Sequence, residues 1–257
     1  MRKINLLLFV SIFTLISSCS SDEDTSTSSS STNLIKDMTT SSETNNYRTD
    51  YIYEDGNKLA RFFSSSDTFF DTEVRFTYSG DIITEYKTWF NGQLDTRVSL
   101  GYTDGRLSSW NMYVYDDETE YFSNVSYIND KMIFDLEVGN VDGGRVVHHF
   151  DNNGNTIKIE QYNSSDQLIS RDLYSYDSKN APTKNILSFD SFIYPWERGA
   201  SINNVLTINH TDYNVLNGSI ENETNTSYIY EYNDQNYPVY MTYNFDGNES
   251  SSTITYY

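Results

Sequence analysis

Residues 73–82 read EVRFTYSGDI, a strand followed by a turn and the first residue of a second strand. Val74, Phe76 and Tyr78 alternate with polar residues, so an extended chain places all three on one face. One apolar face and one polar face favour an antiparallel sheet, because strands of a parallel sheet read as continuous apolar runs. The turn at Gly80 and the restart at Ile82 then predict a hairpin.

The pattern of an aromatic strand end, a turn and an aliphatic restart recurs along the chain. Its five clearest copies are headed by Tyr53, Tyr78, Tyr102, Tyr127 and Phe150, at steps of 25, 24, 25 and 23 residues. Weaker copies begin at Tyr176, Tyr232 and Tyr243. A step of this length holds two strands and two turns, so each repeat is one hairpin, and hairpins in chain order form a meander.

Composition and turn residues support the same fold. The chain has 23 Tyr and 14 Phe but 3 Pro, and aromatic residues favour strands. Asn-Gly and Asp-Gly pairs supply the positive φ angles of tight hairpin turns. The glycines in such pairs are Gly56, Gly92, Gly105, Gly143, Gly154, Gly218 and Gly247. We predict an all-β fold, with residues 47–257 forming one antiparallel meander of about 12–15 strands in a strongly curved sheet or partly closed barrel.

Residues 183–203 interrupt the repeat. This segment is rich in aromatic residues, from Phe189 to Trp196, and shows no clean alternation. It predicts a long connection with one short helical turn. Irregular loops often carry function, but a hydrophobic plug covering one end of the sheet is the interpretation we favour.

The first 18 residues have the pattern of an export signal. Arg2 and Lys3 precede an apolar run over residues 4–16, which is shorter than the roughly 20 residues of a membrane-spanning helix. The run ends in LISSC, residues 15–19, which resembles the bacterial lipobox. That resemblance implies a lipoprotein signal peptide over residues 1–18 and diacylglycerol on Cys19, the only cysteine. The alternative is an ordinary secreted protein with a chance cysteine.

Residues 19–46 are predicted to be a lipid-anchored, disordered tether, because their Ser- and Thr-rich composition cannot bury enough apolar surface to fold. The acidic run at residues 22–24 looks like the surface-export signal of Bacteroidetes lipoproteins. It implies a protein held to the outer membrane through Cys19 and facing the cell exterior. A solvated charge run at the start of a linker is the alternative interpretation.

Charge and histidine content limit the possible functions. A formal net charge of −20 repels phosphates and argues against nucleic-acid partners. His148 and His149 are adjacent on a predicted strand and therefore point to opposite faces, which disfavours a shared metal. The residues Asp151, Asn153 and Asn155 begin like a calcium loop, but Thr156 and Tyr162 stand where that loop needs Gly and Glu. We predict no catalytic, metal-binding or cofactor-binding residues.

Two kinds of residue leave binding and catalysis open. Trp89, Trp110 and Trp196 could stack on sugar rings, although core packing is the simpler interpretation. The acidic run over residues 116–120 could contribute to a glycosidase pair, although a charged hairpin turn explains it. We therefore favour a non-enzymatic binding or structural module for a glycan or a cell-surface protein. The alternatives are a polysaccharide hydrolase with paired carboxylates and an integral outer-membrane barrel, and the second is disfavoured by an apolar face rich in Tyr rather than Leu and Val.

A family resemblance covers residues 47–257. The hairpin motif is similar to the YD-type repeats of secreted bacterial proteins. Residues 174–182, YSYDSKNAP, and residues 230–238, YEYNDQNYP, resemble paired stretches of Bacteroidetes lipoproteins of unknown function. The domains of that group are described as porin-like, many-stranded antiparallel sheets. The resemblance implies this fold, and it carries no activity and no catalytic residues.

Overall fold

The computed structural model describes residues 33–43, 46–66, 71–116, 118–197, 201–245 and 247–257. Cys19, the predicted signal peptide and the first part of the predicted tether lie outside these residues. Within them the chain forms sixteen strands and one 3₁₀ turn, Phe189–Ser191. None of the described segments is a helix with the length and apolar character needed to cross a membrane.

The strands follow one another at short intervals, with one long connection before β13. Their bounds are β1 Ile35–Ser42, β2 Asn46–Glu54, β3 Lys58–Ser66, β4 Thr72–Ser79, β5 Ile82–Phe90, β6 Gln93–Thr103, β7 Arg106–Val114, β8 Thr119–Ile128, β9 Lys131–Val138, β10 Val141–Phe150, β11 Thr156–Tyr162, β12 Leu168–Asn180, β13 Asn203–Tyr213, β14 Ile220–Tyr232, β15 Pro238–Phe245 and β16 Asn248–Tyr256.

Every strand pairs antiparallel with the next, and β16 returns to pair with β1, so the sheet is a closed barrel. Met38 of β1 lies opposite Ile254 of β16, and on its other side opposite Thr49 of β2. The predicted all-β meander of hairpins is confirmed. Closure is complete, and it leaves no exposed sheet edge to pair with another chain.

Closure depends on β1, which corrects the predicted domain boundary at residue 47. Residues 35–42 lie in the segment predicted to be a disordered tether, yet they form a strand paired on both sides. Their composition hides this because only Ile35 and Met38 are apolar. The backbone hydrogen bonds to two neighbouring strands compensate for the small apolar area that β1 buries.

Much of the inner face of the barrel is apolar, and its outer face carries ion pairs. Leu59, Ile83 and Phe134 point inward and are fully buried. On the outer face Glu73 pairs with Arg61 and Arg75 at 2.7 and 2.8 Å between nitrogen and oxygen. A transmembrane barrel instead has an outward apolar band and a polar interior. This polarity argues against the integral-membrane alternative.

Three of the tyrosines that head the repeats share one structural role. Each points inward from an even-numbered strand and donates its hydroxyl to a carbonyl at the start of the preceding strand. Tyr53 donates to Ile35, Tyr102 to Ile83 and Tyr176 to Thr156, at 2.9, 2.8 and 2.6 Å. In these hairpins the inward tyrosine ties two neighbouring strands together at the same end of the barrel.

We call this end the proximal end and the opposite end the distal end. The described chain begins and ends proximally, where the Tyr257 amide donates to the Leu34 carbonyl. Most of the predicted Asn-Gly and Asp-Gly turns hold, since their glycines have positive φ. Gly143 is the exception. It lies inside β10, and the positive φ belongs to Gly144, where the β9–β10 pairing is irregular.

Candidate functional site

The segment between β12 and β13, residues 181–202, enters the barrel from the proximal end, and we call it the plug. Residues 198–200 of the plug lie outside the described residues. Ile186, Phe189 and Ile193 of the plug belong to the same buried cluster as the inward residues of the strands. This confirms a hydrophobic plug with one short helical turn, and it shows that the plug occupies one side of the lumen rather than only covering its end.

Three side chains from the barrel wall hold the backbone of the plug. The Tyr86 hydroxyl and the Trp110 indole both donate to the Ile193 carbonyl, at 2.8 and 3.0 Å. His148 Nε2 lies 2.7 Å from the Pro195 carbonyl oxygen and donates to it. Burial lowers the pKa of His148 to about 4, so the ring is neutral at physiological pH. These bonds satisfy carbonyls that would otherwise be buried without partners.

Aromatic contacts fix the plug against the wall from β3 to β8. The Phe192 ring lies 5.2 Å from Phe76 and 4.8 Å from Tyr86, centroid to centroid and close to edge-on. Trp196 makes an edge-on contact with Trp110 at 5.9 Å. Edge-to-face pairs of this kind are the favoured geometry of aromatic rings. Aromatic side chains of the plug and the wall therefore pack against each other on this side of the lumen.

The other side of the lumen is open. A cavity of about 850 Å³ lies between the plug and the wall formed by β1, β2 and β12–β16. A cavity of this volume accommodates a small organic molecule. Its aromatic lining consists of Tyr51, Tyr174, Phe189, Phe192, Tyr194, Trp196, Tyr228, Tyr230 and Tyr243.

Three of these tyrosines form a group on β14 and β15. The rings of Tyr228 and Tyr230 are nearly parallel, with an interplanar angle of 11° and centroids 6.3 Å apart. Tyr243 lies beside Tyr228 on the next strand, at 5.8 Å and 31°. We call these three residues the tyrosine platform. Every second residue of a strand faces inward, which is why Tyr228 and Tyr230 share the lumen.

The proximal part of the cavity carries amide groups. Asn204 is 3% exposed, and its amide nitrogen donates to Asp177 Oδ2 and to the Asn180 carbonyl, both at 3.1 Å. The Asn204 side-chain oxygen is buried and has no hydrogen-bond partner. A buried acceptor without a donor is costly, and this oxygen is closed to solvent.

Carboxylates make the cavity acidic. Asp172 and Glu197 line it. His210 lies between Asp172 and Asp212, with ring nitrogens 2.7 and 3.0 Å from their oxygens. Partial burial alone would lower the pKa of His210, but the hydrogen bonds and charges of the two aspartates together raise it. Neither lysine nor arginine occurs among the described residues that line the cavity.

The histidines and acidic residues singled out in the sequence lie away from this cavity. His148 faces the core, and His149 faces outward and contacts Glu160 at 2.8 Å, so the two do point to opposite faces. Asp151 caps its own turn by accepting from the amides of Asn153 and Asn155. Among the residues that the structure describes, His, Cys, Asp and Glu form no group of three placed to hold a metal ion.

In the acidic run over residues 116–120, Asp116 and Glu118 lie in the β7–β8 turn at the distal end, and Glu120 lies at the start of β8, where it accepts a hydrogen bond from Asn111. Residue 117 lies outside the described residues. The tryptophans separate into three environments. Trp110 is buried in the core, Trp89 lies on the outer face beneath Arg75, and Trp196 lines the cavity. The tyrosine platform was not predicted, although Tyr228 and Tyr230 stand in a stretch of alternating tyrosines that could have indicated it.

Comparison with known proteins identifies relatives in fold. Neither a family model nor a curated protein matches the chain. A porin-like protein from Bacteroides uniformis ATCC 8492 superposes with a TM-score of 0.58 at 10% identity, over 88% of this chain and 98% of the other. A porin-like protein from Bacteroides vulgatus ATCC 8482 gives 0.47 at 12% identity, over 88% and 99%. The chain therefore shares the fold of the Bacteroides uniformis porin-like protein, and the similarity is one of fold.

Proposed function

We propose that this protein is a non-enzymatic, lipid-anchored barrel of the outer membrane that binds a small ligand in its lumen. The observation that carries the proposal is the cavity of about 850 Å³ between the plug and the wall formed by β1, β2 and β12–β16. The plug fills the other half of the lumen with buried aromatic packing. A lumen with one packed side and one open side is suited to holding a ligand, whereas a pore needs a continuous passage.

The position of the chain ends supports an orientation. Asn33 lies at the proximal end, so a protein anchored through Cys19, as we propose, would present its distal end away from the membrane. Beyond the cavity, the inward residues toward the distal end include Ser42, Ser250 and Thr226. A lumen lined by hydroxyl groups is readily wetted, which gives a ligand a route from the exterior.

The charged outer face supports attachment by lipid rather than by a membrane-spanning sheet. On the outer face of the barrel, Arg48 pairs with Asp50 and Lys87 pairs with Glu85, each at 2.8 Å between nitrogen and oxygen. Charges placed there would be costly against lipid. The cavity does not favour the alternative of a hydrolase with paired carboxylates. Two acids line it, Asp172 and Glu197, and Asp172 is already hydrogen-bonded to His210.

Ligand binding is tested with the full chain in a nonionic detergent, using the fluorescence of Trp196 while neutral oligosaccharides, fatty acids and organic cations are titrated. Ile208→Trp fills the cavity, and Asn209→Trp places the same side chain on the outer face as a matched control. We expect one ligand class to change the fluorescence, Ile208→Trp to abolish the change and Asn209→Trp to keep it. No response to any class, or a response that survives Ile208→Trp, refutes lumen binding.

Anchoring is tested separately in cells. We expect Cys19→Ser to abolish incorporation of labelled palmitate and to release the protein from the membrane fraction. External protease should cleave the wild-type protein on intact cells if the barrel faces the exterior. Membrane association that persists in Cys19→Ser would refute the lipid anchor without affecting the proposal of a binding cavity.

A further inference from the structure

We propose that the lumen cavity selects organic cations, in which a quaternary or protonated amine is attached to a small apolar body. This inference rests on the proposed function and specifies the ligand class. Two independent features of the cavity support it: the tyrosine platform and the sign of the charges that line the cavity.

The tyrosine platform offers aromatic faces to a cation. The near-parallel rings of Tyr228 and Tyr230, with Tyr243 beside them, line the cavity together. Tyr174 on β12 and Trp196 of the plug line the same cavity. The negative face of an aromatic ring attracts ammonium groups, and several rings around one site are the usual solution for quaternary ammonium ligands.

The charges near the cavity have one dominant sign. Asp172 and Glu197 line the cavity, and Asp212 faces the lumen next to them. The opposing positive group on these walls is His210, which is shared between the two aspartates. Even with His210 protonated, three carboxylates face one positive ring. The acidic side chains that line the cavity, Asp172 and Glu197, attract a cation and repel an anion.

The apolar parts of the lining suit the body of such a ligand. Met38, Ile208 and Ile254 line the same cavity, beside the tyrosine rings. The overall charge of −20 would raise the local concentration of cations and speed their association.

The test compares three probes of the same shape and different charge. Choline is positive, 3,3-dimethylbutan-1-ol is its neutral counterpart, and 3,3-dimethylbutanoate is negative. Calorimetry with the full chain in nonionic detergent should show choline binding at least about tenfold tighter than the alcohol, and no binding of the carboxylate.

Variants locate the effect. Tyr228→Leu removes an aromatic face and keeps the bulk, and it should weaken choline binding by about 2- to 30-fold, while Tyr228→Phe retains the face and the affinity. Tyr113→Leu, on the outer face of β7, is the matched control and should leave the affinity unchanged. Glu197→Gln should weaken choline binding and leave the alcohol unaffected.

The outcomes separate this inference from the proposed function. Equal affinities for choline and the alcohol would overturn the cation preference and leave a binding cavity in place. Binding of oligosaccharides or fatty acids without binding of choline would do the same. If Tyr228→Leu loses folded structure by circular dichroism, Glu197→Gln and Tyr228→Phe still decide the question. Choline affinity that Glu197→Gln leaves unchanged would overturn the inference.

Discussion

The attachment of the plug predicts a specific non-additive effect. Tyr86 and Trp110 donate to one acceptor, the Ile193 carbonyl. Tyr86→Phe removes one donor and leaves the other in place, so it should lower the free energy of unfolding by about 1 kcal/mol. Trp110→Phe also removes part of a fully buried ring and should cost about 2–3 kcal/mol.

The double variant should cost more than the sum of the two single variants. With both donors gone, the Ile193 carbonyl is buried without the partners seen in the structure, and leaving such a group unpaired costs about 1–3 kcal/mol. We therefore expect a coupling free energy of about 1–2 kcal/mol between Tyr86→Phe and Trp110→Phe.

This double-mutant cycle is measured by urea unfolding of the full chain in nonionic detergent, followed by tyrosine and tryptophan fluorescence. Tyr256→Phe combined with Trp110→Phe is the matched control, because Tyr256 donates to a different carbonyl, that of Pro238. That pair should be additive within about 0.5 kcal/mol. Additivity of Tyr86→Phe with Trp110→Phe would refute the reasoning, since it would mean that the plug does not depend on this shared acceptor.

Three further predictions concern stability. Gly144→Ala should lower the free energy of unfolding in urea by about 2–4 kcal/mol, because φ is +88° and the added Cβ would lie 2.1 Å from the Tyr162 carbonyl oxygen. Gly218→Ala is the comparison, since φ is +69° with open space around the added Cβ, and it should lower the same free energy by about 1–2 kcal/mol. Hydrogen bonds from Arg75 and Arg61 hold the pKa of Glu73 at about 2, so its contribution to the free energy of unfolding is present above about pH 4.5 and is lost as the pH falls toward 2. Glu73→Gln should remove this part of the pH dependence of unfolding in acid titrations, and an unchanged profile would contradict the prediction. The pKa of His210 is raised in the folded state. Its contribution to the free energy of unfolding is therefore complete below the ordinary histidine pKa of about 6.5 and is lost as the pH rises through the folded pKa. Unfolding measured from pH 5 to 9 should show this loss of stability in the wild type and not in His210→Gln.

Much of the fold follows from local sequence. Strand and turn signals such as Val74 to Ile82 act between neighbours, so the hairpins and their order could be predicted. Closure could not, because it joins Asp37 to Thr255 across nearly the whole chain. The sequence of β1 also gives little sign of a strand, since polar inward residues such as Thr40 and Ser42 face an open lumen rather than a core.

The candidate site was predictable only in part. The aromatic segment around Trp196 stood out because it broke the alternation. Its insertion into the lumen depends on donors from distant strands, such as His148, and no local pattern reveals that pairing. The same holds for His210, whose two aspartate partners lie on β12 and on its own strand. Such three-dimensional neighbours require the register of the sheet.

The pairing of β1 with β16 has a consequence for how the protein is made. The barrel cannot close until residues 248–256 have been synthesised and have found a strand more than 200 residues earlier in the chain. Contacts of such long sequence separation form slowly. Until β16 has formed, β1 and β15 are unpaired edge strands and the sheet is open. The barrel therefore acquires its closed form only after the last hairpin is complete.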